Sequence, residues 1–178
     1  MKLFITGMPG VGKSTIVQNI VSLLKERGYW VGGVSCPEVR EDENRVGFEI
    51  IDLLSNRRGV LSHVRLSSGP SVGKYHVNLN DLSKVGVTAL NNAVSESDVV
   101  VIDEIGPMEL QGKDFQEAVM RAVESQKPVL GIVHWRIKHP LIERIKGRSD
   151  VKIYEVTPQN REAIQAKILE ETLNALEK

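Results

Sequence analysis

Gly7-Met8-Pro9-Gly10-Val11-Gly12-Lys13-Ser14, followed by Thr15, fits the spacing G-x-x-x-x-G-K-[ST] at every required position, and its reading decides the fold class. A chain of phosphates carries several negative charges and needs donors that approach with no side chain in the way. Gly7, Gly10 and Gly12 let the backbone turn successive N–H groups inward as an anion nest, closed by the positive end of a helix dipole. The intervening Met8, Pro9 and Val11 and the following Thr15 belong to the same phosphate-binding segment. Lys13 is positioned to reach the β and γ phosphates, and the Ser14 hydroxyl to bind Mg²⁺. An ordinary glycine-proline turn lacks the setting found here. Lys2–Thr6 reads as a short buried strand, and residues 14–27 carry Ile16, Val17, Ile20, Leu23 and Leu24 at helical spacing.

Outward from this unit, apolar runs of strand length alternate with helical patterns, which predicts a parallel sheet covered by helices. Gly28 is a candidate helix terminator, and residues 29–35 read as a second strand. Residues 45–53 and 60–66 are strand-like and joined by the polar turn Ser55-Asn56-Arg57-Arg58-Gly59, which predicts an antiparallel hairpin extending the sheet. Residues 75–79 form another short strand candidate, and Asn80 or Asp81 would cap a helix running to about residue 95. The last third alternates strictly, with strands at 99–102, 129–134 and 151–156 and helices at 115–126, 141–146 and 159–176.

Composition sets the broad class. The chain has 178 residues, 41% hydrophobic and 26% charged, enough for one substantial core and too apolar for disorder. A single domain spanning 1–178 is expected. Positive and negative side chains balance at 23 each, so the basic excess of a protein that grips nucleic acid is missing. Cys36 has no second cysteine to pair with and sits in an apolar stretch, which reads as a buried thiol in the cytoplasm. Met1 leads straight into the first strand, so no signal peptide is expected, and no apolar run spans a bilayer.

The second chemical cluster is Val99-Val100-Val101-Ile102-Asp103-Glu104. Four apolar residues form a buried strand, and two carboxylates follow at its C-terminal edge, where ligands bind in open parallel sheets. By itself such a pair would read as a solvated loop or a helix cap. Beside a phosphate loop, Asp103 is expected to share the Mg²⁺ with Ser14 from the neighbouring strand. Glu104, projecting to the other side of the strand end, is the expected base for an attacking water.

Five segments together resemble a known family: the phosphate loop; Glu38-Val39-Arg40 followed by Arg45-Val46-Gly47-Phe48; Val72-Gly73-Lys74-Tyr75; Asp103-Glu104-Ile105-Gly106-Pro107-Met108-Glu109; and Val156-Thr157 with Asn160-Arg161. They are similar to the thermophilic-type nucleoside triphosphatases of the P-loop superfamily, whose vertebrate member is called cancer-related nucleoside-triphosphatase. The resemblance spans nearly the full length. It implies a three-layer α/β fold with a mainly parallel sheet, related to RecA-like and nucleotide-kinase folds. It also implies a Mg²⁺-dependent phosphatase acting on ATP, GTP and other nucleoside triphosphates.

Other features carry weaker readings. Gly69-Pro70-Ser71-Val72-Gly73-Lys74-Tyr75 imitates a phosphate loop but has one residue too few between its glycines and Tyr where Ser or Thr is required. His134 ends the strand after the acidic one, either as a γ-phosphate sensor or as a bonded strand end. Arg136, Lys138, Arg144, Lys146 and Arg148 resemble a kinase lid, and a solvated face opposite Leu141, Ile142 and Ile145 explains the same spacing. Arg40 and Arg45 compete with Arg136, Arg144 and Arg148 for contact with the γ phosphate. Asn160 and Arg161 lie where a base often packs, or else start the last helix.

The reading that joins these features is a hydrolase of Mg-bound nucleoside triphosphates, with Lys13 and Glu104 catalytic and Ser14 and Asp103 holding the metal. Broad base tolerance is expected because no Asn-Lys-x-Asp guanine signature occurs. The partners are then nucleotides, with no membrane or nucleic acid, and a monomer is favoured. A nucleotide or small-molecule kinase shares every phosphate-handling part and differs only in the acceptor. A nucleotide-dependent switch or nucleic-acid-binding module is the reading from another class.

Overall fold

The computed structural model describes residues 1–177. β1 (Lys2–Thr6), the glycine loop and α1 (Lys13–Glu26) form the strand, loop and helix that the motif requires. α1 begins one residue earlier than its apolar spacing suggests, because Gly12 serves as N-cap in the left-handed region at φ +102°. Gly28, at φ +88°, ends the helix, with its N–H bonded to the Lys25 carbonyl at 3.0 Å. β2 (Val31–Ser35) follows, two residues shorter than expected because the Tyr29 N–H still bonds back to the Leu24 carbonyl and the Trp30 N–H is taken by the Asp98 carboxylate.

The next region contains β3 (Glu38–Glu41), β4 (Asn44–Asp52), β5 (Arg58–His63), β6 (Ser71–Val72) and β7 (Tyr75–Val77). The predicted hairpin is present as β4 against β5. β3 was not legible in the sequence. It pairs antiparallel with β4 across a turn at Asp42 and Glu43, both at positive φ without a glycine to announce it. Residues 69–75, the imitation phosphate loop, instead contain β6 and the turn that leads to β7.

Helical structure resumes two or three residues earlier than expected. Asn78 caps α2 (Leu79–Asp81) by accepting from the Asp81 N–H at 3.0 Å, while the Asp81 carboxylate accepts from the Val60 N–H at 2.8 Å. A π-helical segment, Leu82–Val87, continues into α3 (Thr88–Glu96). The last third contains β8 (Val99–Ile105), α4 (Lys113–Glu124), β9 (Val129–Val133), α5 (Pro140–Lys146), β10 (Val151–Glu155) and α6 (Arg161–Leu176).

All these strands share one sheet, ordered β10-β1-β9-β8-β2-β4-β5-β7-β6, with β3 added on β4. β10, β1, β9, β8 and β2 run parallel, and the remainder is antiparallel. Period-two alternation divides the parallel strands between two cores. Leu3, Ile5, Val99 and Val101 face α1 and α6, whereas Phe4, Val100, Ile102 and Val129 face α3, α4 and α5. The result is helix, sheet and helix in three layers, the α/β architecture expected. Among the described residues no helix is long and apolar enough to cross a membrane.

Two details of the acidic strand depart from expectation. β8 extends through Ile105, so Asp103 and Glu104 lie within the strand instead of following it. β8 is also not beside β1, because β9 lies between them.

Candidate functional site

The parallel strands all end on the side where the glycine loop turns into α1, which gathers the polar residues of several strands around one loop. Gly7 has φ +144°, and a Cβ there would stand 2.5 Å from the Val156 carbonyl oxygen, so the loop passes too close to the end of β10 for any side chain. The Lys13 ammonium donates to the carbonyls of Gly7 at 2.7 Å and Met8 at 2.9 Å, which holds it over the loop. Burial lowers its pKa, against the opposing pull of Glu104 and Asp103. Gly7, Pro9, Gly10, Gly12, Ser14 and Thr15 line the adjoining cavity. The Met8 side chain is exposed, and Val11 packs against the core under α1 and α6.

The Ser14 hydroxyl donates to Asp103 Oδ1 at 3.1 Å, although β9 separates the strands that lead to the two residues. The reach comes from α1, whose first turn stands above the strand ends. Asp103 is 5% exposed, and burial pushes its carboxyl up to about 7, with Ser14 and Lys13 opposing and Glu104 adding to the rise. Glu104 is also raised by burial and lowered by Lys13. Simple alternation would send these neighbours to opposite faces of β8. Both line the same cavity instead, at a register irregularity against β9 between Ile102 and Ile105.

A third carboxylate was missed as a chemical group, although its residue belongs to the acidic motif. Glu109 is 4% exposed and accepts from the Gly106 N–H at 3.2 Å. Burial pushes it up to about 8, with the nearby Glu104 adding to the rise. A Cβ on Gly106 would fall 2.6 Å from Glu104 Oε1 and 3.1 Å from Glu109 Oε2, so both carboxylates converge on that glycine. Sequence spacing gives no signal for this, because the 3₁₀ turn Glu109–Gln111 folds Glu109 back under the strand end. Cys36 lines the same cavity, where burial and the surrounding carboxylates push its thiol well above its ordinary value.

The cavity has a volume of about 670 Å³. Its wall opposite the glycine loop comes from the antiparallel strands, with Glu38, Arg45, Phe48, Val72 and Tyr75. Arg45 donates to the Tyr75 hydroxyl at 2.9 Å and to Glu38 at 2.9 Å, and its guanidinium lies 5.2 Å from the centre of the Phe48 ring. The other arginine candidates are placed elsewhere. Arg40 pairs with Glu38 outside the lining, Arg144 pairs with Glu124, and Arg148 pairs with Asp150. Arg136 stacks 4.0 Å above the ring of Trp135, which does line the cavity. His134 lines it too, its Nδ1 accepting from the Arg136 N–H at 3.3 Å, with its pKa lowered by burial and then by Lys13. Asn160 is engaged with the Thr157 and Glu155 backbone. Arg161 brings Nη1 to 3.9 Å from a Cβ position on Gly12, on the flank of the loop outside the cavity lining.

A protein-family model described as NTPase matches residues 2–169. The chain is 44% identical over 177 residues to nucleoside-triphosphatase THEP1 of Methanosarcina acetivorans, covering 99% of both chains. It is 48% identical over 170 residues to nucleoside-triphosphatase THEP1 of Thermofilum pendens, covering 94% of this chain and 92% of that one. Among solved structures it is similar to THEP1 from the hyperthermophile Aquifex aeolicus, with TM-score 0.84, 32% identity and coverage of 97% of this chain and 99% of that one. It is also similar to a human cancer-related nucleoside triphosphatase, with TM-score 0.80, 36% identity and 95% of each chain covered.

Proposed function

Because the chain belongs to the NTPase family, with similar relatives that carry the name nucleoside-triphosphatase, we propose that it hydrolyses the terminal phosphoanhydride of Mg-bound nucleoside triphosphates with broad tolerance of the base. The observation that carries this reading is the hydrogen bond from Ser14 to Asp103 beside Glu104, in a cavity that the phosphate loop borders.

The donor set suits Mg²⁺. Ser14 and Asp103 offer a hydroxyl and a carboxylate, hard oxygen ligands that would hold the metal and leave room for substrate phosphates and water. When bound there, Mg²⁺ neutralises charge on the β and γ oxygens. The loop amides and Lys13 hold the phosphate chain and take up the charge that develops as the bond to the leaving oxygen lengthens. Glu104 orients an attacking water and accepts its proton, for which its raised pKa is suited. The nucleoside is assigned to the flank of the loop beside Gly12 and Arg161, where Arg161 Nη1 lies 3.9 Å from a Cβ position on Gly12.

The test is phosphate release from ATP, GTP, CTP and UTP, with Mg²⁺ and with excess chelator. Release from all four that chelator abolishes supports the reading. No release from any triphosphate, or turnover that appears only when nucleic acid is added, overturns it.

A further inference from the structure

The cavity reaches from the glycine loop to a wall of aromatic rings for which the proposed hydrolysis has no use. Its volume of about 670 Å³ includes the loop side, where the triphosphate chain, the metal and an attacking water would lie, and falls in the range of clefts that hold a whole small molecule. Neither Asn160 nor Arg161 belongs to its lining, so the nucleoside of a bound triphosphate does not account for the space. The phosphate chain would occupy the loop side, lined by Gly7, Gly10, Gly12, Lys13 and Ser14, and leave the far wall to another group.

The chemistry of the far wall is aromatic. Phe48 and Tyr75 meet edge to face with ring centroids 5.7 Å apart, and Trp135 contributes a further ring. Met108 and Val72 add apolar surface around them. Arrays of this kind recognise a flat ring by stacking and burial. The charges are equally selective. Glu38, Asp103, Glu104 and Glu109 line the cavity against Lys13 and Arg45, and Arg45 is already paired with Glu38. Once a triphosphate and its metal are in place, Lys13 would be engaged by the phosphates and Arg45 by Glu38, while Lys74 and Arg136 lie over the rings of Tyr75 and Trp135, so the cations that line the cavity are already committed.

We infer that this chamber is an acceptor subsite for a neutral, ring-bearing alcohol, to which the γ-phosphoryl group is transferred in competition with water. The inference rests on the proposed triphosphate site and extends it. The alcohol oxygen forms a bond to the γ phosphorus as the bond from phosphorus to the β,γ-bridging oxygen breaks. The nucleoside diphosphate leaves with that oxygen, the hydroxyl proton passes to Glu104, and the product is a phosphate monoester. An anionic nucleoside monophosphate is disfavoured by the carboxylates, which separates this acceptor from that of an ordinary nucleotide kinase.

The experiment follows the enzyme with Mg·ATP by ³¹P NMR in the presence of thymidine or benzyl alcohol, with glycerol as a ringless alcohol and AMP as an anionic one. The expected result is a new phosphate monoester with the ring-bearing neutral alcohols, at the expense of inorganic phosphate, and none with glycerol or AMP. Phe48→Leu and Trp135→Leu, each of which removes a ring while keeping apolar bulk, are expected to lower the ratio of transferred to released phosphate at least fivefold. Inorganic phosphate as the sole product with every alcohol overturns the inference and leaves hydrolysis standing. Efficient transfer to AMP or glycerol, or an unchanged ratio in both variants, also overturns it. Failure to consume ATP under any condition overturns the hydrolytic reading and this inference together.

Discussion

The parallel and antiparallel halves of the sheet solve different problems. β1, β9, β8 and β2 are covered by helices on both faces, so their side chains are almost wholly buried and their functional groups appear only at the strand ends, while β10 is a half-exposed strand at the sheet edge. β3, β4 and β5 are covered less completely and carry exposed ion pairs such as Arg58 with Glu49 and Arg45 with Glu38. The phosphate loop, Asp103, Glu104 and His134 belong to the buried half, whereas Glu38, Arg45, Phe48 and Tyr75 come from the other. Charges held in a buried framework lose little energy to solvent reorganisation, which suits bond breaking. A wall built on a hairpin can vary without disturbing that framework, which suits selection of what lies opposite the phosphate.

The largest test of this division is Glu104→Gln. Turnover should fall by about 10²- to 10⁴-fold while Mg·ATP affinity, read by calorimetry, stays close to that of the parent. Unchanged turnover would take the base away from the buried half. Lys13→Ala should lower kcat by about 10²- to 10³-fold and also weaken binding, because in the proposed reaction the ammonium contacts the phosphates before and during bond breaking.

Substitution in the antiparallel half should act more gently on the same measurements. Arg45→Ala is expected to change kcat by less than about tenfold, equivalent to about 1.4 kcal/mol, because its guanidinium is committed to Glu38 and Tyr75. A loss of about 10³-fold, the scale of an arginine finger, would break the comparison by moving catalysis across the cavity.

The smallest effect concerns pH and stability. Glu109 has a folded pKa of about 8 against an ordinary 4.5. Between those values the unfolded chain is ionised and the folded chain protonated, so the unfolded state binds fewer protons and stability falls as pH rises. Thermal unfolding of the metal-free protein at pH 5 and pH 8 should show a smaller fall for Glu109→Gln than for the parent. An identical fall would mean that Glu109 ionises without cost.

Much of the buried half was legible because its rules are local. Glycine spacing announces the loop, unbroken β-branched runs announce buried parallel strands, and Ile16, Val17, Ile20 and Leu24 repeat with the helical period and are buried as expected. The antiparallel half was legible only in part. β4 and β5 have the length and turn chemistry of a hairpin, but β3 is four residues long, and its exposed charges hide its pairing. Likewise Asn78, not Asn80 or Asp81, caps the helix, because Asp81 is drawn to the Val60 amide by a contact between distant segments.

Taken by itself, the sequence determined the phosphate loop, the acidic pair, the alternating α/β class and the family resemblance, since each depends on residue type and short spacing. Only the tertiary structure decided that β9 separates β1 from β8 while Ser14 still meets Asp103. It also decided that Glu104 and Glu109 converge on Gly106, and that Arg45 alone among the five arginine candidates lines the cavity. Strand order, a register irregularity and the closing of a distant hairpin over the site are long-range choices. They are set by how whole faces pack, and no short window of sequence contains them.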